Sequence, residues 1–107
     1  MKITVLKSKI QEAIVSNSTA SYNGSLTLDR DYMDKADLKP FEQIHVNNKT
    51  NGNRFITYIL EAPRGCKKCE VNGAASSLCN KGDIIHILSY CTIDNDEKHN
   101  PLIVKEL

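Results

Sequence analysis

Apolar and polar residues alternate along most of this chain with a period of two, which predicts strands rather than helices. Ile3 and Val5 open the first alternating run, with Leu6 extending it. Residues 7–14 are less regular and predict an irregular bridge, after which Ala13-Ile14-Val15-Ser16 resumes as strand. Asn17-Ser18-Thr19 has the composition of a turn. Ser25-Leu26-Thr27-Leu28-Asp29 alternates cleanly and predicts a further strand. The best short helix falls at 31–36, capped by Asp29 or Asp31, with Met33, Ala36 and Leu38 turned inward and Lys39-Pro40 ending it. Residues 43–47 and 54–60 predict two strands joined by a hairpin, for which Asn51-Gly52 is a strong signal. Gly65-Cys66-Lys67-Lys68-Cys69 predicts another hairpin turn, and Glu70-Val71 leads as strand into a turn at Asn72-Gly73. Residues 74–78 fit one helical turn, 84–93 the longest apolar strand, and 102–104 an edge strand or a frayed end. Many short strands between turn signals imply a mainly β domain, and this pattern alone does not choose between barrel and sandwich.

The length of 107 residues implies one domain with a modest core, for which oligomerisation would help. A formal net charge of +1 gives no broad nucleic-acid footprint. No apolar run approaches the length of a membrane span, and residues 1–14 lack the continuous apolar stretch and cleavage site of a signal peptide, so the expected location is cytoplasmic. Of the four cysteines, Cys66 and Cys69 have the spacing of a metal half-site, but Cys79 and Cys91 do not complete the pattern, so no metal is expected. Lys67 and Lys68 between the first two would favour reactive thiols.

Three short runs carry the candidate chemistry: Tyr22-Asn23-Gly24-Ser25, then Asn51-Gly52-Asn53-Arg54-Phe55-Ile56-Thr57-Tyr58, then Val71-Asn72-Gly73-Ala74-Ala75. In this order and at this spacing the chain resembles the pyruvoyl-dependent aspartate 1-decarboxylases over nearly its whole length, most weakly over 94–107. The resemblance implies a six-stranded double-psi β-barrel with short helices, packed as a homotetramer with sites at subunit interfaces. It also implies self-cleavage between Gly24 and Ser25. A serine hydroxyl attacks the preceding carbonyl, the resulting ester eliminates, and the dehydroalanine left behind hydrolyses to a covalent pyruvoyl group. Glycine suits the position before the serine because it has no Cβ to obstruct the attack. Residues 1–24 would become one chain and 25–107 a second.

A pyruvoyl ketone can form a Schiff base with an amino acid and act as an electron sink, so no external cofactor is needed. The implied reaction converts L-aspartate to β-alanine and carbon dioxide, for pantothenate and coenzyme A synthesis. A dicarboxylate substrate calls for cations, and the planar fork of Arg54 and the point charge of Lys9 match the family's substrate-binding positions. Thr57 matches the hydroxyl that supports the rearrangement. Tyr58 matches the proton donor. Asn72, Gly73, Ala74 and Ala75 match the loop lining the pocket, and Tyr22 a supporting position near the cut. Thr57 and Tyr58 are consecutive, so on a regular strand they face opposite ways; a local twist or a site shared between subunits would reconcile them.

The chain departs from the family at Gln11, often histidine; Asn47, often tryptophan; His86, usually apolar and here expected as a core or interface histidine; and, mildly, at Ser76. A maturation factor is a further candidate partner. Three competing readings are a binding module on the same barrel that never cuts itself, a zinc module using Cys66, Cys69, Cys79 and His86 or Cys91, and a barrel-type DNA-binding regulator, which the balanced charge disfavours.

Overall fold

The structure, a computed structural model, describes residues 1–21 and 24–107. Tyr22 and Asn23 of the first motif lie outside the described residues. The elements run β1 (Lys2–Ile14), β2 (Asn17–Thr19), β3 (Ser25–Asp29), α1 (Arg30–Lys35), β4 (Gln43–Asn48), β5 (Arg54–Ala62), β6 (Cys69–Asn72), a 3₁₀ helix (Gly73–Leu78), β7 (Ile84–Asp94) and β8 (Leu102–Val104). The fold is mainly β, as the period-two pattern predicts. The six longer strands are joined by β2 and β8, of three residues each.

All eight strands form one mixed sheet in the order β2-β6-β3-β5-β4-β7-β1-β8. That order forces the sheet to curl. β1 and β2 stand six places apart in it, which in a flat sheet would be about 29 Å at the usual strand spacing. Only Val15 and Ser16 separate them in the chain, a gap of three Cα steps that spans at most about 11 Å. The short link is itself held on both sides: Val15 N–H donates to the Asp83 carbonyl (2.9 Å) and Ser16 N–H to the Cys69 carbonyl (2.9 Å). A rolled, barrel-like sheet satisfies both constraints.

The interior of the roll holds Ile10, Leu26, Leu28, Ile44, Val46, Ile59, Val71, Ile85 and Ile87, all essentially inaccessible. β5 is the strand that turns the corner. It pairs antiparallel with β4 through residues 54–58 and parallel with β3 through residues 59–62. The β4–β5 hairpin closes as Asn51-Gly52 predicts, with Gly52 at φ +81°, a value that a side chain would strain. Helix α1 also forms where expected. The Asp29 carboxylate accepts from Asp31 N–H (2.8 Å) as its cap, and Met33, Ala36 and Leu38 are buried. It stops before Lys39-Pro40, because Asp37 takes a left-handed backbone (φ 52°).

Three local expectations are corrected. Residues 7–14 do not bridge two strands; β1 is one strand of thirteen residues that absorbs its irregularity as register shifts against β7, between Leu6 and Ser8 and between Ile10 and Ala13. Asn17–Thr19 is a strand, because it finds a parallel partner in β6 that its turn-like composition cannot reveal. Residues 65–69 are not a hairpin turn, since β5 and β6 are not neighbours. The segment instead crosses the end of β3, where the Asp29 carboxylate accepts from Gly65 N–H (3.2 Å) and Lys67 N–H (2.7 Å).

Candidate active site

Ser25 is the first residue of β3 and is fully buried. It stands opposite Asn72 in the antiparallel β3–β6 ladder. Directly opposed residues project to the same face, and so do residues two apart on one strand. The Asn72 amide is therefore placed to reach two hydroxyls: its Nδ2 donates to Ser25 Oγ (3.1 Å) and to Thr27 Oγ1 (2.9 Å). Asn72 Oδ1 is buried and has no hydrogen-bond partner among the described residues. A buried amide oxygen left in this state costs free energy, which makes it a standing acceptor beside the serine. Gly24 is not required here by crowding, because an added Cβ would come only to 4.0 Å from the Asn72 carbonyl oxygen.

After Asn72 the chain turns at Gly73, whose φ of +75° explains the glycine, into the 3₁₀ helix that carries Ala74 and Ala75. Asn72, Gly73, Ala74 and Ala75 thus stand together at the end of β6, next to Ser25.

The expected cations lie elsewhere on the same chain. Arg54 starts β5 and is exposed. Asn47 on β4 faces it, and Asn47 also faces His86 on β7, so Arg54, Asn47 and His86 form a row across three strands. Lys9 on β1, half-buried, is offset from this row: it stands opposite Leu88, two residues along β7 from His86. Burial, followed by the positive charges of Lys9 and Lys49, holds His86 below the usual imidazole value against a smaller upward pull from Glu12. His86 is therefore neutral at pH 7. A shallow cavity of about 320 Å³ lies along this row, lined by His45, Asn47, Arg54, Phe55, Ile56 and Tyr90.

Tyr58 is 37% exposed and alternates onto the face of Arg54 and Ile56, while Thr57 turns the other way. The consecutive pair thus splits as strand geometry requires. The parallel β3–β5 ladder begins at Leu26 opposite Ile59, so Ser25 and Tyr58 each directly precede its first pair. Arg54 is four residues, about 13 Å, further along β5. Within one chain Arg54 therefore stands apart from the serine group (Ser25, Thr27, Asn72) along β5, with Tyr58 between them.

A sequence model described as aspartate decarboxylase matches residues 1–106. The chain belongs to the aspartate decarboxylase family. An aspartate 1-decarboxylase of Syntrophomonas wolfei is 47% identical over 96 residues, covering 90% of this chain and 81% of that protein. Another, from Caulobacter vibrioides, is 44% identical over 100 residues, covering 94% of this chain and 85% of that protein. A third, from Thermoanaerobacter pseudethanolicus, is 45% identical over 100 residues, covering 94% and 86%.

Among the described residues no three of His, Cys, Asp or Glu gather as metal ligands. Cys66 is exposed, whereas Cys69 and Cys79 are buried. The expectation of a reactive Cys66–Cys69 pair is corrected at Cys69: burial, with smaller contributions from Cys79 and Glu70, pushes its thiol up to about 12. Cys79 is likewise pushed up by burial, to about 11. Among the described residues no helix is long and apolar enough to cross a membrane. One residue of the serine group was missed from sequence: Thr27, the second hydroxyl on the Asn72 amide. The i, i+2 spacing of Ser25-Leu26-Thr27 was its available signal.

Proposed function

We propose that this chain cuts itself between Gly24 and Ser25 and then decarboxylates L-aspartate to β-alanine and carbon dioxide, using a pyruvoyl group made from Ser25. The observation that carries the reading is the buried Ser25 hydroxyl held by the Asn72 amide, immediately after a glycine that packing does not require. Family membership supplies the activity, since the relatives are aspartate 1-decarboxylases.

In the cutting step Ser25 Oγ bonds to the Gly24 carbonyl carbon as the Gly24–Ser25 C–N bond breaks, leaving an ester and a free amine. Elimination removes the Cα proton and the Gly24 carboxylate. Water then replaces the nitrogen, releasing ammonia. The Asn72 amide orients the hydroxyl for attack. Thr57, on β5 just ahead of its pairing with β3, is the hydroxyl we assign to support the rearrangement.

The residues present fit the product group. It keeps the carbon skeleton of position 25, loses the serine nitrogen and Oγ, gains one oxygen from water and needs no added volume. The Asn72 amide donor would hold it. When bound there, a pyruvoyl group supplies the electron sink for decarboxylation. Arg54 and Lys9 bind the two carboxylates and fix the substrate's orientation. Backbone N–H groups of Gly73, Ala74 and Ala75 approach it closely because their side chains are small. Tyr58 donates a proton to the substrate carbon that loses carbon dioxide.

The distance of Arg54 from Ser25 along β5 supports a site completed by a second copy, and a homotetramer is the assembly we assign to it. The exposed Ile56, Tyr58 and Tyr90 beside Arg54 are the apolar surface such a contact would cover. The product would enter pantothenate and coenzyme A synthesis in the cytoplasm, and Tyr22 would support the cut from outside the described residues.

Intact-mass spectrometry on aged protein tests the reading. Fragments of residues 1–24 and 25–107 are expected, the second lacking an amine terminus, with borohydride and aspartate leaving an adduct on it. A whole chain that still consumes aspartate would overturn the proposal.

A further inference from the structure

One polar network ties the β4–β5 hairpin to the far end of the 3₁₀ helix. The Leu78 carbonyl accepts from Asn48 Nδ2 (3.0 Å), Asn51 Nδ2 (3.1 Å) and Asn53 Nδ2 (3.4 Å). A carbonyl has two lone pairs, so three convergent amides saturate it. The last carbonyls of a helix lack partners of their own, and here the partners come from another element. Asn48 is the buried hub: it also donates to Asp83 Oδ2 (2.8 Å), and its own Oδ1 accepts from Thr50 N–H (2.9 Å). Asn51 Oδ1 accepts from Asn53 N–H (2.9 Å), which shapes the turn that leads directly into Arg54.

The two segments joined this way are those the proposed function uses. Arg54 follows Asn53, and the 3₁₀ helix begins with Gly73, Ala74 and Ala75, beside the Asn72 that holds Ser25. We infer that Asn48, Asn51 and Asn53 are positioning residues that set the height of the 73–78 loop relative to Arg54 through the Leu78 carbonyl. The inference rests on the reading of Arg54 and this loop as substrate-binding groups.

Its energetic consequence falls on binding rather than on chemistry. Asn72 is fixed by the β3–β6 ladder, whose own pairing does not involve the Asn48, Asn51 and Asn53 amides. A loop freed at Leu78 leaves the serine group in place but must be ordered again each time substrate enters.

The test uses the self-processed enzyme with Asn51→Ser and Asn53→Ser together. Serine at position 51 can still accept from the position-53 N–H as a turn residue, but it is too short to reach Leu78. The buried Asn48 is left intact so that folding is not the variable. The expected result is a KM for aspartate raised about five- to thirtyfold, as losing two weak hydrogen bonds implies, with kcat within about twofold and the cut unchanged. Amide hydrogen exchange should quicken over residues 73–79. An unchanged KM overturns the inference, and so does unchanged exchange over 73–79. Fall of kcat together with loss of cutting also overturns it, because the network would then be supporting the fold at large. If the parent protein consumes no aspartate, the functional reading itself fails, and the exchange measurement then decides the mechanical coupling separately.

Discussion

Removing the Asn72 side chain is the sharpest probe of the serine site. Asn72→Ala deletes both amide hydrogen bonds, to Ser25 Oγ and Thr27 Oγ1, from a residue only 4% exposed. Each is worth about 0.5–1.5 kcal/mol, and the small void left behind brings the loss of stability to about 2–4 kcal/mol. At about 2.1 cal/mol/K per residue over 107 residues, that lowers the melting temperature of the uncut chain by about 9–18 °C. A Ser25→Ala background keeps the chain whole for this measurement, and because one of the two bonds is already gone there, the drop should fall at the lower end. The rate of cutting is followed in the Ser25 chain by the appearance of the two fragments on a denaturing gel. Lost orientation of the hydroxyl alone slows it about two- to tenfold. If the amide also follows the charge that develops on the attacked carbonyl, the slowing reaches about a hundredfold. Fragments appearing at the parental rate, at a temperature where the variant is folded, would falsify the role given to Asn72.

Four further outcomes are expected. Tyr58→Phe should cut normally and decarboxylate poorly; full turnover would remove Tyr58 as the proton donor. Glu42 is raised by burial, yet hydrogen bonds from Ser89, Lys7 and the Lys39 N–H outweigh this and leave its folded pKa below the unfolded value. Its contribution to stability is thus present above the unfolded carboxylate value, about 4.3, and disappears as pH falls through the lower folded one, so Glu42→Gln should flatten the decline of melting temperature in that acid range. Alkylation at pH 8 should modify exposed Cys66 first and spare Cys69 and Cys79, whose thiols burial pushes to about 12 and about 11, until the protein unfolds. Met33→Ala, at the fully buried position of α1, should cost about 2–5 kcal/mol in urea unfolding, and a loss below about 1 kcal/mol would contradict its place in the core.

Local signals in the chain were sufficient for what is local. Asn51-Gly52 turns where it should, Asp29 caps α1, and the split of Thr57 from Tyr58 follows from strand alternation. The three motifs also carried the family, because they are contiguous runs whose spacing survives in one dimension. Where a segment's partner lies far away, the signal failed. Asn17–Thr19 becomes a strand only because β6 runs beside it, and 65–69 is no hairpin because β3 is inserted between β5 and β6.

The amino-acid order by itself determined the β character, the turn positions and the candidate Ser25, Arg54 and Tyr58, since these depend on neighbours within a few residues. Tertiary structure alone decided that Asn72 grips Ser25 and Thr27 at once, that Arg54 stands apart from the serine along β5, and that three asparagine amides meet on one carbonyl. The reason is physical: a hydrogen bond across 25 or 47 positions of chain depends on strand order and register, and those are set by how the whole sheet rolls to bury its apolar face.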